Sequence, residues 1–159
     1  MSARSTWALL PLLFACGGES GEPPPPDLGT PFVQIGTGTQ SWAPLTDGQT
    51  LRIAMGPQGG YHLWGALRAG GLNPEDTFIE FRLVRDGVRL AESGYRDSLR
   101  AVETDGPFQY WGVAVVVISG DPTTIADRPA RLEVTLTPQH GEPVTDAVEV
   151  VPIEGEESF

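Results

Sequence analysis

The sequence contains no lysine, and its ten basic residues, all arginine, stand against 21 aspartate and glutamate residues. The resulting formal net charge of −11 argues against nucleic acid as a partner, because phosphate binding needs a basic surface that displaces counterions. Without lysine, the chain also cannot form the usual phosphate-binding loop. An acidic surface that keeps the protein soluble accounts for this charge, and a cationic partner or a divalent ion is compatible with it.

Cysteine occurs once, as Cys16, so no disulfide can form within the chain and a domain must be held together by its core. The two histidines, His62 and His140, do not have the spacing of a zinc site. Asp121 and Asp127 lack the regular pattern of a calcium-binding loop. Because the chain also lacks a nucleophile elbow of the Gly-x-Ser-x-Gly type, we predict no metal, no cofactor and no catalytic site.

The chain has no long hydrophobic run, and its most apolar stretch covers only residues 7–15. Nine helical residues would rise about 14 Å, whereas the hydrocarbon core of a bilayer is about 30 Å thick. This length is typical of a secretory signal peptide rather than of a membrane-spanning helix, and Arg4 supplies the positive charge that precedes it. We therefore predict a signal peptide over residues 1–15.

The apolar stretch ends in Leu13, Phe14, Ala15 and Cys16. This tetrad resembles the lipobox of bacterial lipoproteins, although Phe14 stands where a smaller residue is usual. The resemblance implies cleavage after Ala15 and lipidation of Cys16, which would anchor the mature chain in a membrane. With Gly17 next to it in place of aspartate, the resemblance also implies export to the outer membrane of a Gram-negative bacterium. The alternative is a free cysteine buried in the core of a cytosolic protein.

Residues 16–31 are rich in glycine and proline and almost without apolar side chains. Such a segment cannot bury enough surface to offset its ordering entropy, so we predict a disordered tether. Its four consecutive prolines favour an extended chain of about 3.1 Å per residue, which gives a reach of at most about 50 Å. A domain over residues 32–153 and an acidic tail over residues 154–159 complete the predicted organisation.

Short apolar segments alternate with turn signals from Phe32 onward, and no segment has a convincing helical period. Asp86 and Gly87 predict a tight hairpin, because Asp-Gly readily adopts the positive φ angles of a two-residue turn. The spacing of eight or nine strands predicts an all-β, antiparallel β-sandwich that is similar to immunoglobulin or fibronectin domains. A small β-barrel is the alternative.

Two segments carry the candidate binding residues. A glycine-rich stretch at residues 56–60 precedes a predicted strand in which Tyr61, Leu63 and Leu67 share one face. His62, Trp64 and Arg68 share the other face, where an imidazole and an indole side by side suit a sugar ring or a peptide. A plain loop with a hydrogen-bonded surface histidine is the alternative interpretation.

The second segment is the strand predicted over residues 108–119, which is apolar on both faces. Alternation assigns one face to Tyr110, Ala114, Val116 and Ile118, and the other to Trp111, Val113, Val115 and Val117. One of these faces is either covered by a loop or by the N-terminal segment, or it is an exposed patch anchored on Trp111.

These features lead to three functional hypotheses. The first is an envelope lipoprotein whose domain is a binding or adaptor module for a protein or glycan, with His62, Trp64 and Trp111 as candidate contacts. The second is a structural envelope lipoprotein, or an assembly subunit, without a specific ligand. An enzyme is disfavoured, because nothing in the sequence places an acid or a nucleophile in a site that would tune it.

Overall fold

A computed structural model describes residues 29–104 and 106–155. The predicted signal peptide, Cys16, nearly all of the tether and residues 156–159 of the tail lie outside the described residues. The ten strands are β1 (Phe32–Thr37), β2 (Ala43–Pro44), β3 (Gln49–Met55), β4 (Tyr61–Gly70), β5 (Thr77–Arg85), β6 (Val88–Asp97), β7 (Arg100–Ala101), β8 (Phe108–Val117), β9 (Ala130–Thr137) and β10 (Val144–Glu154). Within the described ranges, no helix is long and apolar enough to cross a membrane.

The strands follow from the alternation of apolar and polar residues. In β5, Ile79, Phe81 and Leu83 are fully buried, while Glu80 and Arg82 point outward and form an ion pair of 2.6 Å. β9 repeats the same period of two. The hairpin predicted at Asp86 and Gly87 is confirmed: it joins β5 to β6, with φ angles of 51° and 77°.

All ten strands belong to one sheet, in the order β2-β1-β4-β3-β10-β9-β5-β6-β8-β7. A further pairing of β4 with β8 closes seven of them into a barrel. The all-β prediction is therefore confirmed. The immunoglobulin-like or fibronectin-like sandwich is not confirmed, because the sheet is continuous and closes on itself. The barrel was the alternative that the strand spacing left open.

Two strands share one position in the barrel wall, between β4 and β10. β1 pairs with the second half of β4, and β3 pairs with the first half. β3 also runs parallel to β10, through the register that pairs Val150 with Gln49. A side chain links β1 to β10: the Asp146 carboxylate of β10 accepts a 2.8 Å hydrogen bond from the Ile35 backbone N–H of β1.

The barrel interior is filled by the inward side chains of both halves. Phe81 reaches across from β5 to β4, where Gly65 leaves room for its ring. A Cβ atom at Gly65 would lie 3.0 Å from that ring, so the two residues are complementary in size. The largest fully buried side chains are those of Phe81, Leu63, Leu67, Ile79, Leu83, Ile125, Leu132, Leu136, Val113, Val115, Val134 and Val150.

The connection between β8 and β9 wraps around the side chain of Arg85. Its guanidinium donates hydrogen bonds of 2.7–3.2 Å to four backbone carbonyls, those of Thr124, Ile125, Arg128 and Pro129. Asp121 caps the single 3₁₀ turn in this connection by accepting hydrogen bonds from Thr123. The role of Asp121 in the structure is thus to order a turn.

Candidate binding surface

A β-bulge in β8 decides which side chains face outward. Two steps along β4, from Gly65 to Leu67, match three steps along β8, from Val113 to Tyr110. Two residues of β8, Trp111 and Gly112, therefore oppose a single residue of β4. Gly112 has a φ of 75°, which only glycine adopts readily. Its N–H donates a 2.9 Å hydrogen bond to the carbonyl of Gly38, which ties a loop of the chain to the outside of the barrel.

The bulge inverts the alternation along β8. After it, Val113, Val115 and Val117 point into the core; before it, Tyr110 packs against the core. Trp111 therefore lies on the outer face, and the prediction that it shares a face with Val113 was wrong. The physical reason is the additional residue, which shifts the period of two by one position.

A row of four long polar side chains crosses the outer face in front of the bulge. Cross-strand registers pair Gln34 of β1 with Arg68 of β4, Arg68 with Gln109 of β8, and Gln109 with Arg100 of β7. Residues paired in this way project from the same side of a sheet. Arg68 is oriented by a 2.7 Å hydrogen bond from its Nε to Oε1 of Gln34.

Each arginine of the row lies over a tryptophan. The guanidinium carbon of Arg68 is 4.3 Å from the centre of the Trp42 ring, and that of Arg100 is 4.7 Å from the centre of the Trp111 ring. Both distances are typical of cation–π contacts. Trp42 reaches this position because the chain after β1 folds back over Gly36, where a Cβ atom would overlap the indole.

The structure places Trp64 and His62 next on the outer side of β4. Their rings meet edge to face with centroids 4.4 Å apart. Trp64 is partly exposed, but His62 is only 7% exposed, with its ring close to Gly56 in the glycine-rich turn. Of the three predicted contacts, Trp64 and Trp111 are thus partly exposed at the surface. His62 is buried, and its ring contacts the ring of Trp64.

We call Trp42, Trp64, Arg68, Arg100 and Trp111 the tryptophan–arginine face. All three indoles are partly exposed. Within residues 29–104 and 106–155, no carboxylate lies within ion-pair distance of Arg68 or Arg100, although five other arginines form such pairs. Arg100 is nevertheless near enough to Asp97 to contribute to the lowered pKa of that carboxyl, after the hydrogen bonds from Tyr110 and Ser98.

A small group of ionisable side chains borders this face. The Tyr110 hydroxyl donates a 2.5 Å hydrogen bond to Asp97, which lowers the pKa of that carboxyl together with the Ser98 N–H. Burial, and then the hydrogen bond to Asp97, raise the pKa of Tyr110. Burial is also the main reason why the pKa of Tyr95 is raised.

Two cavities lie away from the face. One of about 570 Å³ is at the end of the barrel where β1 begins, between Pro31, Leu72, Pro74 and Pro138, with His140 at its wall. The other, of about 380 Å³, is a polar depression on β9 and β10 beside Asp146. In the described parts of the chain, no three His, Cys, Asp or Glu side chains cluster as metal ligands would.

Comparison of the chain with protein-family models, with curated proteins and with solved structures finds no match in any of the three. The period of two in the sequence predicts the shared face of Trp64 and Arg68, and Trp64 and Trp111 stay predicted contacts, whereas no sequence pattern placed Trp42 or Arg100 beside them. No local signal points to Trp42, because a turn of the chain brings it onto the face. A glycine inside an apolar strand was the available signal for the bulge, since such a glycine often marks one.

Proposed function

We propose that this protein is an exported, lipid-anchored envelope lipoprotein whose barrel is a binding or adaptor module for a glycan or a protein. The observation that carries this proposal is the tryptophan–arginine face, where three partly exposed indoles lie on one side of the sheet and two of them are each in contact with a guanidinium group. Rigid aromatic rings offer a large contact area at low cost in conformational entropy, and arginine and tryptophan are enriched among the residues that dominate binding energies.

The anchor rests on the resemblance of residues 13–16 to a lipobox. Cys16 would carry the lipid in the outer membrane of a Gram-negative bacterium, and a tether of at most about 50 Å would separate it from β1. Stable anchoring requires more than one acyl chain, as several chains bury enough methylene groups to prevent release.

Replacing Cys16 by serine tests the anchor. The wild-type protein should lose 15 residues, gain the mass of acyl chains and fractionate with outer membranes, whereas Cys16→Ser should remain unacylated and soluble. If both proteins are soluble and unacylated, the lipoprotein assignment is wrong and the barrel belongs to a freely exported or cytosolic protein.

The binding function is testable through tryptophan fluorescence. Three of the four tryptophans in the chain belong to the face, and the fourth, Trp7, falls in the predicted signal peptide. Adding fragments of envelope glycans, or candidate envelope proteins, should therefore change the emission of the wild-type protein when one of them binds.

Trp111→Ala should weaken that binding at least tenfold while leaving the folded barrel intact. Val88→Ala is the matched control, because Val88 is an apolar side chain that is 59% exposed at the β5–β6 hairpin, away from the face. A saturable change that is equal in both variants would place the contact elsewhere. Absence of binding to any glycan or protein would favour a structural lipoprotein without a specific ligand.

A further inference from the structure

We infer that the acidic tail folds back over β3, where its carboxylates pair with Arg52 and the ring of Phe159 covers Trp64. The part of the tail that follows β10 consists of Gly155, Glu156, Glu157, Ser158 and Phe159. This contact forms without a ligand, so it stands or fails separately from the proposed binding function. Through it, the chain itself closes the Trp64 end of the tryptophan–arginine face.

Arg52 lies at the point where the tail leaves the sheet. β10 runs parallel to β3, and Ile153 pairs with Arg52, so both side chains project from the same side. A Cβ atom at Gly155 would lie 2.6 Å from Nη1 of Arg52, which means that the guanidinium lies against the backbone of Gly155. The charge of Arg52 is therefore directed at the first residue of the tail.

The guanidinium of Arg52 is exposed, and its charge is not balanced by a nearby carboxylate. Within residues 29–104 and 106–155, no Asp or Glu side chain lies within ion-pair distance of Arg52. Glu156 and Glu157 follow directly after Gly155. Because guanidinium groups and carboxylates form charge-assisted hydrogen bonds, these two glutamates complement Arg52.

The opposite side of β10 is less favourable for the tail. There, the Asp127 N–H donates a 2.8 Å hydrogen bond to the Pro152 carbonyl. Arg128 is next in the chain, but an oxygen of the Asp86 carboxylate already lies 4.0 Å from its guanidinium. A glutamate of the tail would be repelled by both aspartates, so the β3 side is favoured.

Trp64 lies on the same side of the sheet as Arg52. Ala54 of β3 pairs with His62 of β4, and Arg52 and Trp64 are each two positions further along their strands. Because alternate residues of a strand share one side, both side chains project outward. Trp64 is partly exposed, so a second aromatic ring can pack on it.

The tail is long enough to reach Trp64. β10 pairs with β3 and β3 pairs with β4, so the tail has to cross two strand spacings, about 10 Å in all. The residues from Glu156 to Phe159 span up to about 13 Å when extended. Arg68 lies further along β4 and stays uncovered, so the tail closes only one end of the face.

The test measures how strongly acrylamide, a neutral quencher, reduces the tryptophan emission of the full-length protein without ligand. Arg52→Gln, or Glu156→Gln together with Glu157→Gln, should lower the ratio of covered to uncovered protein by up to about fivefold, the range of an exposed ion pair. Quenching should then increase. Raising the ionic strength should increase quenching of the wild-type protein in the same way, because salt screens exposed charges.

Three further variants assign the contact. Arg128→Gln is the matched control, because Arg128 is an exposed arginine on the other side of β10, and it should leave quenching unchanged. Trp64→Phe should remove the response of quenching to salt. Exchanging the charges, through Arg52→Glu with Glu156→Arg and Glu157→Arg, should restore the protection of Trp64. Circular dichroism spectra check that all variants are folded.

Quenching that responds neither to salt nor to Arg52→Gln would overturn the inference and leave the proposed binding function standing, since no ligand is present. A salt response that persists in Trp64→Phe would also overturn it, because another tryptophan would then be the one that is covered. An increase in Arg128→Gln but not in Arg52→Gln would place the tail on the opposite side of β10. The binding function fails separately, when neither glycans nor envelope proteins change the emission of the wild-type protein.

Discussion

At the scale of single residues, we expect the side chain of Arg85 to stabilise the fold through its hydrogen bonds to the β8–β9 connection. Its side chain holds four carbonyls of the β8–β9 connection, and hydrogen bonds that involve a charged group contribute about 1.5–3 kcal/mol each before losses elsewhere. We expect Arg85→Ala to lower the free energy of unfolding by about 2–3 kcal/mol and to open this connection to proteolysis. Arg85→Lys should recover little of the lost free energy of unfolding, because an ammonium group cannot reproduce the planar, forked arrangement of guanidinium donors.

Arg89→Ala on the neighbouring strand provides the comparison for Arg85. The ion pair between Arg89 and Glu92 is exposed and should contribute less than about 1 kcal/mol. Urea denaturation of both variants measures the difference. Equal losses would show that the carbonyl contacts of Arg85 add nothing beyond its charge.

The tyrosines beside the face lead to an expectation about pH. Burial raises the pKa of Tyr95 and of Tyr110, so in the folded protein both hydroxyls keep their protons at a pH where those of the unfolded chain lose them. Their contribution to stability is complete below about pH 10, the ordinary pKa of tyrosine, and declines as the pH rises from there. Thermal melting between pH 8 and pH 11 should show this decline, and Tyr95→Phe should reduce it. A decline of the same size in the variant would contradict the assignment.

Sequence reasoning worked at the residue scale where neighbours along one strand decide the outcome. The shared face of Trp64 and Arg68 follows from the period of two alone, and the structure confirms it. Arg100 and Trp42 could not be placed in this way. Arg100 reaches the face by pairing with Gln109, nine positions later, and Trp42 by folding back over Gly36, six positions earlier. The period of two within a single strand predicts neither position.

At the scale of elements, the bulge in β8 is the feature on which the face depends. Gly112 has a φ of 75°, and a Cβ atom there would lie 3.2 Å from the carbonyl oxygen of Thr39. We expect Gly112→Ala to cost about 1–2 kcal/mol of stability, as the left-handed conformation is unfavourable for alanine. Because the bulge orients Trp111, ligand binding should also weaken.

Two glycines serve as controls for Gly112. Gly87→Ala meets no nearby atom but has a φ of 77°, so it should cost a similar amount of stability without affecting binding. Gly60→Ala has neither a positive φ nor a close neighbour and should be neutral. Chemical denaturation and the fluorescence titration distinguish the three variants. Unchanged binding in a folded Gly112→Ala would show that the bulge does not position the face.

At the scale of the whole molecule, the strands were predictable and their closure was not. Alternating strands separated by turns occur both in sandwiches and in barrels, so the spacing of β5, β6 and β9 is compatible with either. The pairing of β4 with β8 and the parallel pairing of β3 with β10 are what distinguish this barrel from a sandwich. Both join segments that lie far apart in the chain, and neither has a signature in composition or periodicity.

Across the interior of the closed barrel, Phe81 packs against Gly65, which lies on a strand that is not its neighbour in the sheet. We expect Gly65→Ala to lower the free energy of unfolding by about 1–3 kcal/mol through overpacking against the ring. Combined with Phe81→Leu, which makes room, the alanine should cost less than it does alone. A double-mutant cycle by urea denaturation measures this coupling. Strict additivity would show that the two residues do not contact each other in solution.

We propose that a ligand binds at the tryptophan–arginine face of the barrel and not in the cavity lined by Pro31. Amide hydrogen exchange of the full-length protein, with and without the tightest ligand found by fluorescence, tests it most directly. We expect slower exchange on binding in residues 38–42, 64–68 and 109–112. Slower exchange confined to residues 71–75 and 138–142, the two segments that contribute most of the lining of this cavity, would contradict the proposal.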